Sequence, residues 1–294
     1  DRDVISTFVD AYASGRTPNP CLACNEKVKF STLLDRAIAM GVDRLATGHY
    51  ARIERDEGED GEAGAYRLHR AVDDDKDQSY VLYTLGQDAL ARTMFPLGGM
   101  TKRETREVAR ALGLPLADKP DSVDICFVPG GDYRALVESR GVHGTPGVIE
   151  LTDGTPVGAH AGIQRFTVGQ RRGLGVPGPE RRFVTAIDVQ RNVVVVGDEE
   201  ALSSRTVEVS APRWVAGAPP VGERLTARVR YHAEAAEAWV AAYEEASTGP
   251  ADPGSGRFTV EFARPVRAAA PGQALVLYRG TEVVGGGTIE RGAR

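Results

Sequence analysis

The chain has three cysteines, Cys21, Cys24 and Cys126, and a thiolate can act both as a nucleophile and as a carrier of sulfur. Two of them fall in Thr17-Pro18-Asn19-Pro20-Cys21-Leu22-Ala23-Cys24-Asn25, where the prolines enforce a rigid, extended approach. Apolar spacing at Phe30, Leu33, Leu34, Ala37 and Ile38 predicts a helix over Lys27–Met40, stopped by Gly41. Cys24 would then sit just ahead of a helix N-terminus. There the peptide dipoles favour the thiolate, and Lys27 and Lys29 add positive charge. Other uses of Cys-x-x-Cys stay open. It could be half of a zinc site, but only Cys126 and five histidines remain as ligands and no second Cys-x-x-Cys exists. It could be a redox pair, or two inert packed thiols. Cys126 lies in the apolar run Ile125–Val128, which suits a packed core strand as well as a functional thiol behind a proline- and charge-rich linker.

Four weaker signals accompany the thiols. Gly48 and His49 follow a short strand, Arg44–Thr47, where a glycine lets a phosphate or base come close to the backbone. A turn glycine beside a solvated histidine is the plain alternative. The run Asp73-Asp74-Asp75-Lys76-Asp77-Gln78-Ser79 reads as a solvated helix start capped by Asp77 or Ser79, or as a lysine and an amide that meet RNA. Gln170-Arg171-Arg172 and Arg228-Val229-Arg230-Tyr231-His232 combine charge with an aromatic ring, which suits phosphate contact plus base stacking.

Three stretches must position these residues. The first, to about Tyr133, alternates helices with short strands; Tyr80–Leu85 and Lys102–Leu112 read as helices, and Asp56–Ala65 as a solvated hairpin tip. The second, roughly Arg134–Ser204, is rich in glycine and short strands. The third, Arg205–Arg294, offers six candidate strands: Val207–Val209, Arg224–Tyr231, Ala238–Tyr243, Arg257–Phe262, Ala274–Tyr278 and Val283–Ile289. Turn signals between them suggest a small barrel, with a loose loop over Ser247–Gly256.

With 294 residues, 41% hydrophobic and 26% charged, the chain is an ordinary globular protein of two or three domains. A net charge of −5 argues against a protein that only coats nucleic acid, yet permits a local basic patch. No run approaches the ~20 apolar residues of a membrane span, and no signal peptide is evident, so a cytoplasmic location is expected. Val4, Ile5, Phe8, Val9 and Tyr12 repeat with helical spacing from the first residues, and the chain opens on Asp1. That opening predicts an N-terminal truncation.

Taken in order, TPNPCLACNEKVKF, LATGHYAR, DKDQSYVLYTL, FPLGGMTKRETREVA, KPDSVDICFV, FTVGQRRGLGV and VRYH resemble the MnmA (TrmU) family of tRNA-specific 2-thiouridylases over nearly the whole chain. The resemblance implies an α/β PP-loop ATPase domain of the adenine nucleotide alpha hydrolase type (residues 1–133, incomplete), a small central domain (134–204) and a C-terminal β-barrel (205–294). It implies that ATP with Mg2+ adenylates the C2 oxygen of a wobble uridine, and that a cysteine persulfide then delivers sulfur, giving 2-thiouridine, AMP and pyrophosphate. Carried over by position, Cys24 is the nucleophile, Cys126 carries the persulfide, and a Cys24–Cys126 disulfide remains. Gly48 matches an ATP contact. Asn19, Pro20 and Cys21 match the stretch that meets the target base, although some members carry aspartate where this chain has Cys21. His49, Lys76, Asp77, Gln78, Arg230, Tyr231 and Gln273 match tRNA-contacting positions. Implied partners are tRNAs for Lys, Glu and Gln, and a cysteine desulfurase or sulfur-relay protein; no metal site is expected. The family's Ser-Gly-Gly-Val-Asp-Ser pyrophosphate loop is not in this sequence, so the fragment is expected to be inactive alone. A non-catalytic tRNA-binding fragment, or a PP-loop sulfurtransferase for another nucleotide, are the competing expectations. The barrel with its VRYH segment favours the thiouridylase over the latter.

Overall fold

The computed structural model describes residues 2–58, 64–115, 117–119, 125–177, 180–244 and 255–293. Asp121–Asp124, the tip residues 59–63 and most of the expected loop before Gly256 lie outside the described residues.

The chain enters through π-wound Arg2–Ser6 and continues as α1 (Thr7–Ala13), which buries Phe8, Val9 and Tyr12. The second helix begins at Pro20, not Lys27. Pro20 occupies its first position and the Asn19 side chain accepts the Cys21 N–H at 3.1 Å, a cap and a preset φ together. It runs as α2 (Pro20–Ala23), a π-wound segment Cys24–Leu33 and α3 (Leu34–Ala39). Gly41, at φ 83°, ends it as expected.

Strand β1 (Leu45–Ala46) pairs in parallel with β4 (Thr93–Met94), and β2 (Ala51–Arg55) forms an antiparallel hairpin with β3 (Tyr66–Arg70). Only one tight turn of helix forms where Tyr80–Leu85 was expected, over Ser79–Leu82. Every residue of that turn is buried, so its conformation follows from tertiary packing. After α4 (Gln87–Ala91), α5 (Lys102–Ala111) forms as expected. Its start is fixed by a reciprocal capping box between Thr101 and Glu104, with the Asp73 carboxylate accepting the Lys102 N–H at 2.7 Å.

In the middle stretch α6 (Tyr133–Ser139) is capped by Asp132 and precedes a sheet of β5 (Gly147–Leu151), β6 (Pro156–His160), β7 (Phe183–Asp188) and β8 (Val193–Gly197), in the order β6-β5-β8-β7. The last stretch forms β9 (Ser203–Trp214), β10 (Leu225–Arg228), β11 (Ala236–Glu244), β12 (Arg257–Arg267), β13 (Ala274–Arg279) and β14 (Glu282–Ala293). They close as β13-β10-β11-β12-β9-β14 with β14 returning to β13, the barrel the strand spacing predicted. Alternating residues such as Val207, Val209, Phe258, Val260, Leu275 and Leu277 fill its interior.

Two features tie the first stretch to the barrel. The β2–β3 hairpin extends the barrel's sheet through β3–β14 pairing of Leu68 with Val283. Strand β13 is buried on both faces: Leu275 and Leu277 point inward, while Ala274, Val276 and Tyr278 pack outward against Leu68, Tyr80 and Leu82. Such a strand is apolar without alternation, as Ala-Leu-Val-Leu-Tyr is.

Candidate functional site

The earlier helix start changes the setting of the thiols. Cys21, not Cys24, lies in the first turn beside the Asn19 cap, and Cys24 lies a turn further on, where the π-wound segment begins. All three cysteines are free; Cys21 and Cys126 are exposed and Cys24 is half-buried. The structure brings them into one neighbourhood, since Cys21 lies within charge-interaction range of both Cys126 and Cys24. The Cys21 thiol is pushed up from its ordinary value, first by desolvation among the packed segments, then by Cys126 and Cys24, with Lys29 opposing.

Cys126 is not in a strand. Ile125–Val128 is a turn closed by the Val128 N–H to the Ile125 carbonyl at 2.9 Å. Val128 is buried, and Ile125 and Phe127 pack into the cluster around α1, with the Phe127 ring edge-on to Phe8 at 5.5 Å. Apolar anchors on either side leave the thiol between them facing outward.

Beyond the C-terminal end of β1, Gly48 is exposed, and a β-carbon built there would meet only Leu97, at 3.8 Å. Its φ is not left-handed either. Neither backbone conformation nor a close neighbour requires glycine here. The next residue turns inward. His49 is 7% exposed, its ring lies between Phe30 and Phe95, and burial followed by the nearby Lys29 charge lowers it to about 4. Its Nε2 lies 3.3 Å from Lys29 Nζ and its Nδ1 2.8 Å from Thr47 Oγ1. The sequence expectation of a solvated or RNA-facing imidazole does not match this placement, because its ring nitrogens already face protein partners.

The approach to Cys21 is clamped to the barrel. Thr17 donates its N–H to the Pro271 carbonyl at 2.8 Å and accepts the Gln273 side-chain amide at 2.8 Å. Arg16 grips Glu290 with two bonds of 2.9 Å. From the barrel side, Tyr231 is half-buried and within charge range of Cys21, and Arg230 next to it is exposed. Gln78 is locked to Tyr50 by its backbone N–H (2.8 Å) and by its side-chain oxygen (3.0 Å), which leaves Lys76 half-buried at the rim.

Asp77 departs most from the sequence expectation. Its side chain has no exposed surface, and its carboxylate accepts from Arg70 and Arg228 (each 3.2 Å), from the Ala71 and Ser79 N–H groups and from the Ser79 hydroxyl. Those donors use its acceptor capacity inside the protein, so in this arrangement it holds the loop in place and does not project from it. The sequence marked Arg228 only as part of a basic patch; its burial needs the barrel pairing to become visible.

The remaining sequence-expected sites are placed as follows. Asn19 caps the helix and Pro20 is buried at its first position, so both fix the orientation of Cys21. Arg171 and Arg172 are exposed on the middle domain, where Gln170 makes its bonds to Thr167 and Arg172. Among the described residues no group of three or more His, Cys, Asp or Glu could hold a metal ion, and no helix is long and apolar enough to cross a membrane.

Three family models match the chain in succession: a tRNA methyl transferase HUP domain over residues 1–130, a tRNA methyl transferase PRC-barrel domain over 137–198, and an aminomethyltransferase beta-barrel domain over 204–289. Relatives named tRNA-specific 2-thiouridylase MnmA include one from Chloroflexus aggregans, 49% identical over 292 residues, and one from Chloroflexus aurantiacus, 50% identical over 293. Each alignment covers 99% of this chain and 77% of the relative. A protein of that name from Heliobacterium modesticaldum is 45% identical over 295 residues, 99% of this chain and 73% of its own length. The chain belongs to the MnmA family. The HUP, PRC-barrel and β-barrel order agrees with the α/β domain, central sheet and closed barrel described above. The methyl transferase wording belongs to the domain models, and the full-length relatives carry the thiouridylase name.

Proposed function

We propose that this protein is a tRNA 2-thiouridylase that works through Cys24 and Cys126, with the nucleotide approaching at Gly48. The observation that carries the reading is the convergence of Cys24 and Cys126 on Cys21, from segments about a hundred residues apart in sequence. Sulfur chemistry needs one thiol to carry sulfur and another to release it. In the proposed sequence Cys126 bears a persulfide received from a cysteine desulfurase or relay protein. Cys24 attacks the inner sulfur of the Cys126 persulfide, hydrosulfide leaves to become the nucleophile that displaces the activated C2 oxygen of the uridine, and a Cys24–Cys126 disulfide remains for reduction. Bound ATP, with Mg2+, would supply the adenylyl group that makes the uridine C2 oxygen a leaving group.

The chain's own residues hold and orient the reactants. Asn19, Pro20 and Cys21 form the rim against which a target base would rest, steadied by the Thr17–Gln273 clamp. Tyr231 offers a ring for stacking and Arg230 a charge for phosphate. Lys76 and the loop held by Gln78 and Asp77 extend that face, with the wobble uridines of tRNAs for Lys, Glu and Gln as the proposed targets.

The test is to express the protein from its own gene in cells lacking their resident thiouridylase, and to measure 2-thiouridine in digested tRNA by mass spectrometry. The unaltered gene should restore the nucleoside. Cys24→Ser and Cys126→Ser should each abolish it while the purified variants still bind tRNA. Full thiolation by both variants would remove the thiols from the mechanism, and tRNA binding without any thiouridine from the unaltered gene would favour a binding protein.

A further inference from the structure

Lys29, which the sequence offered only as nearby positive charge, has a fixed partner in the structure. We propose that Lys29, aimed by the Thr47–His49 pair, is a positioning residue that steadies negative sulfur at Cys21, between Cys24 and Cys126. The inference rests on the thiol chemistry proposed above and specifies what tunes the thiol on its base-facing rim.

Helix winding is the first argument. Cys24 and Lys29 are five residues apart in a segment, Cys24–Leu33, wound as a π-helix. In an α-helix five residues would turn the two side chains about 140° apart. Hydrogen bonding from i to i+5 instead sets residues five apart on successive turns of one face. The unusual winding therefore brings the ammonium onto the cysteine side of the helix.

Orientation is the second argument. Lys29 has a fixed neighbour, His49 Nε2, at 3.3 Å. An ammonium can only donate, so Nε2 must accept and the imidazole must be neutral. The remaining ring proton then lies on Nδ1 and points at Thr47 Oγ1, 2.8 Å away. The ring is buried against Phe30 and Phe95, and its low proton affinity agrees with this single arrangement. The bond to His49 uses one of three ammonium hydrogens and restricts a flexible side chain, which reduces the entropy lost when it meets an anion.

Charge balance is the third. Four groups act on or with Cys21: Cys24 and Lys29 from its own helix, Cys126 from the turn after α5, and Tyr231 from the loop after β10. The cysteines and the tyrosine are neutral or become anions. Lys29 is the one positive member of that set, and it opposes the rise imposed on Cys21.

The experiment follows alkylation by iodoacetamide between pH 6 and 10, reading each cysteine by peptide mass spectrometry, in the unaltered chain, Lys29→Met, Lys29→Arg and Thr47→Val. Neither tRNA nor ATP is needed, so failure here leaves the thiolation reading intact and failure of thiolation leaves this measurement valid. Lys29→Met should shift the Cys21 midpoint upward by about half a pH unit, slowing alkylation about threefold below the midpoint. Lys29→Arg should recover most of the shift. Thr47→Val, which keeps the lysine but loosens its partner, should give a smaller shift in the same direction. If circular dichroism is unchanged and the Cys21 profiles of Lys29→Met and the unaltered chain coincide, the proposal fails. If Lys29→Met does not fold, a Thr47→Val profile that coincides with the unaltered chain overturns it equally.

Discussion

A buried imidazole that cannot readily charge makes a protein sensitive to acid. His49 is held near 4, against an ordinary value of 6.5, mainly by burial and secondly by Lys29. Because its folded value is the lower one, the unfolded chain takes up the proton first as pH falls. The stability that neutral His49 contributes is therefore complete above about pH 6.5 and is lost progressively down to about pH 4. At about 1.4 kcal/mol per unit the loss amounts to as much as 3 kcal/mol, in order of magnitude. Urea denaturation at pH 7.5, 6.0 and 4.5 should show that decline in the unaltered protein and a shallower one in His49→Gln. Equal slopes would mean that other groups dominate the acid limb. At the neighbouring thiols the proposed mechanism predicts a different scale of effect: the Cys24→Ser and Cys126→Ser variants should leave stability nearly unchanged while ending thiolation.

The barrel joint depends on positions where only one side chain fits. Tyr80 is fully buried and its hydroxyl donates to the Ala274 carbonyl on β13 at 2.8 Å. Tyr80→Phe keeps the ring and leaves that carbonyl without this donor, which should cost about 1–3 kcal/mol in urea unfolding. Gly286 lies in β14 between two neighbours, and a β-carbon there would come within 2.1 Å of the Leu275 carbonyl oxygen. Gly286→Ala should destabilise more than Tyr80→Phe, since backbone must move and no flexible side chain can give way. A Gly286→Ala midpoint equal to that of the parent would show that the strands can part without loss. These elements also show what was legible. The six barrel strands could be read from short apolar runs and the turns between them, and α5 from its helical pattern, because the signals lie within the element. The start of the second helix was misplaced although its cap and proline were in plain view, because Asn19 and Pro20 were read as parts of an extended approach. The hairpin's pairing to β14 and the burial of Ser79–Leu82 could not be read, since both depend on residues some two hundred positions away. At the site, cysteine identity was legible and cysteine environment was not: neither the outward turn at Cys126 nor the Lys29–His49 contact has a periodic signature.

At the scale of the molecule, Asp77 is where the first stretch and the barrel exchange charge. One carboxylate, wholly buried, accepts from Arg70 on β3 and Arg228 on β10, and the Arg228 guanidinium also lies over the Tyr278 ring at 5.5 Å. Arg228 has only 11% of its side chain exposed, so it has little water to turn to if its partner is removed. A buried ion pair adds little net stability over a well-packed apolar replacement, but deleting one partner is expensive, about 3–5 kcal/mol, because a charge is left uncompensated. Asp77→Ala should therefore lower stability by an amount in that range, and Asp77→Asn by less, since an amide oxygen can still accept one arginine hydrogen. The denaturant slope discriminates further. The β3–β14 pairing and the two-sided burial of β13 predict that the first stretch and the barrel unfold together, so the midpoint should move while the slope stays constant. A shallower slope, or a second transition in Asp77→Ala alone, would mean that the carboxylate is what joins them. Binding should follow the same geometry. Arg228 sets the path into Val229, Arg230 and Tyr231, so Asp77→Ala should weaken tRNA binding although Asp77 has no surface from which to touch it. Unchanged affinity together with reduced stability would assign the network to folding and leave the Arg230–Tyr231 loop independent of it.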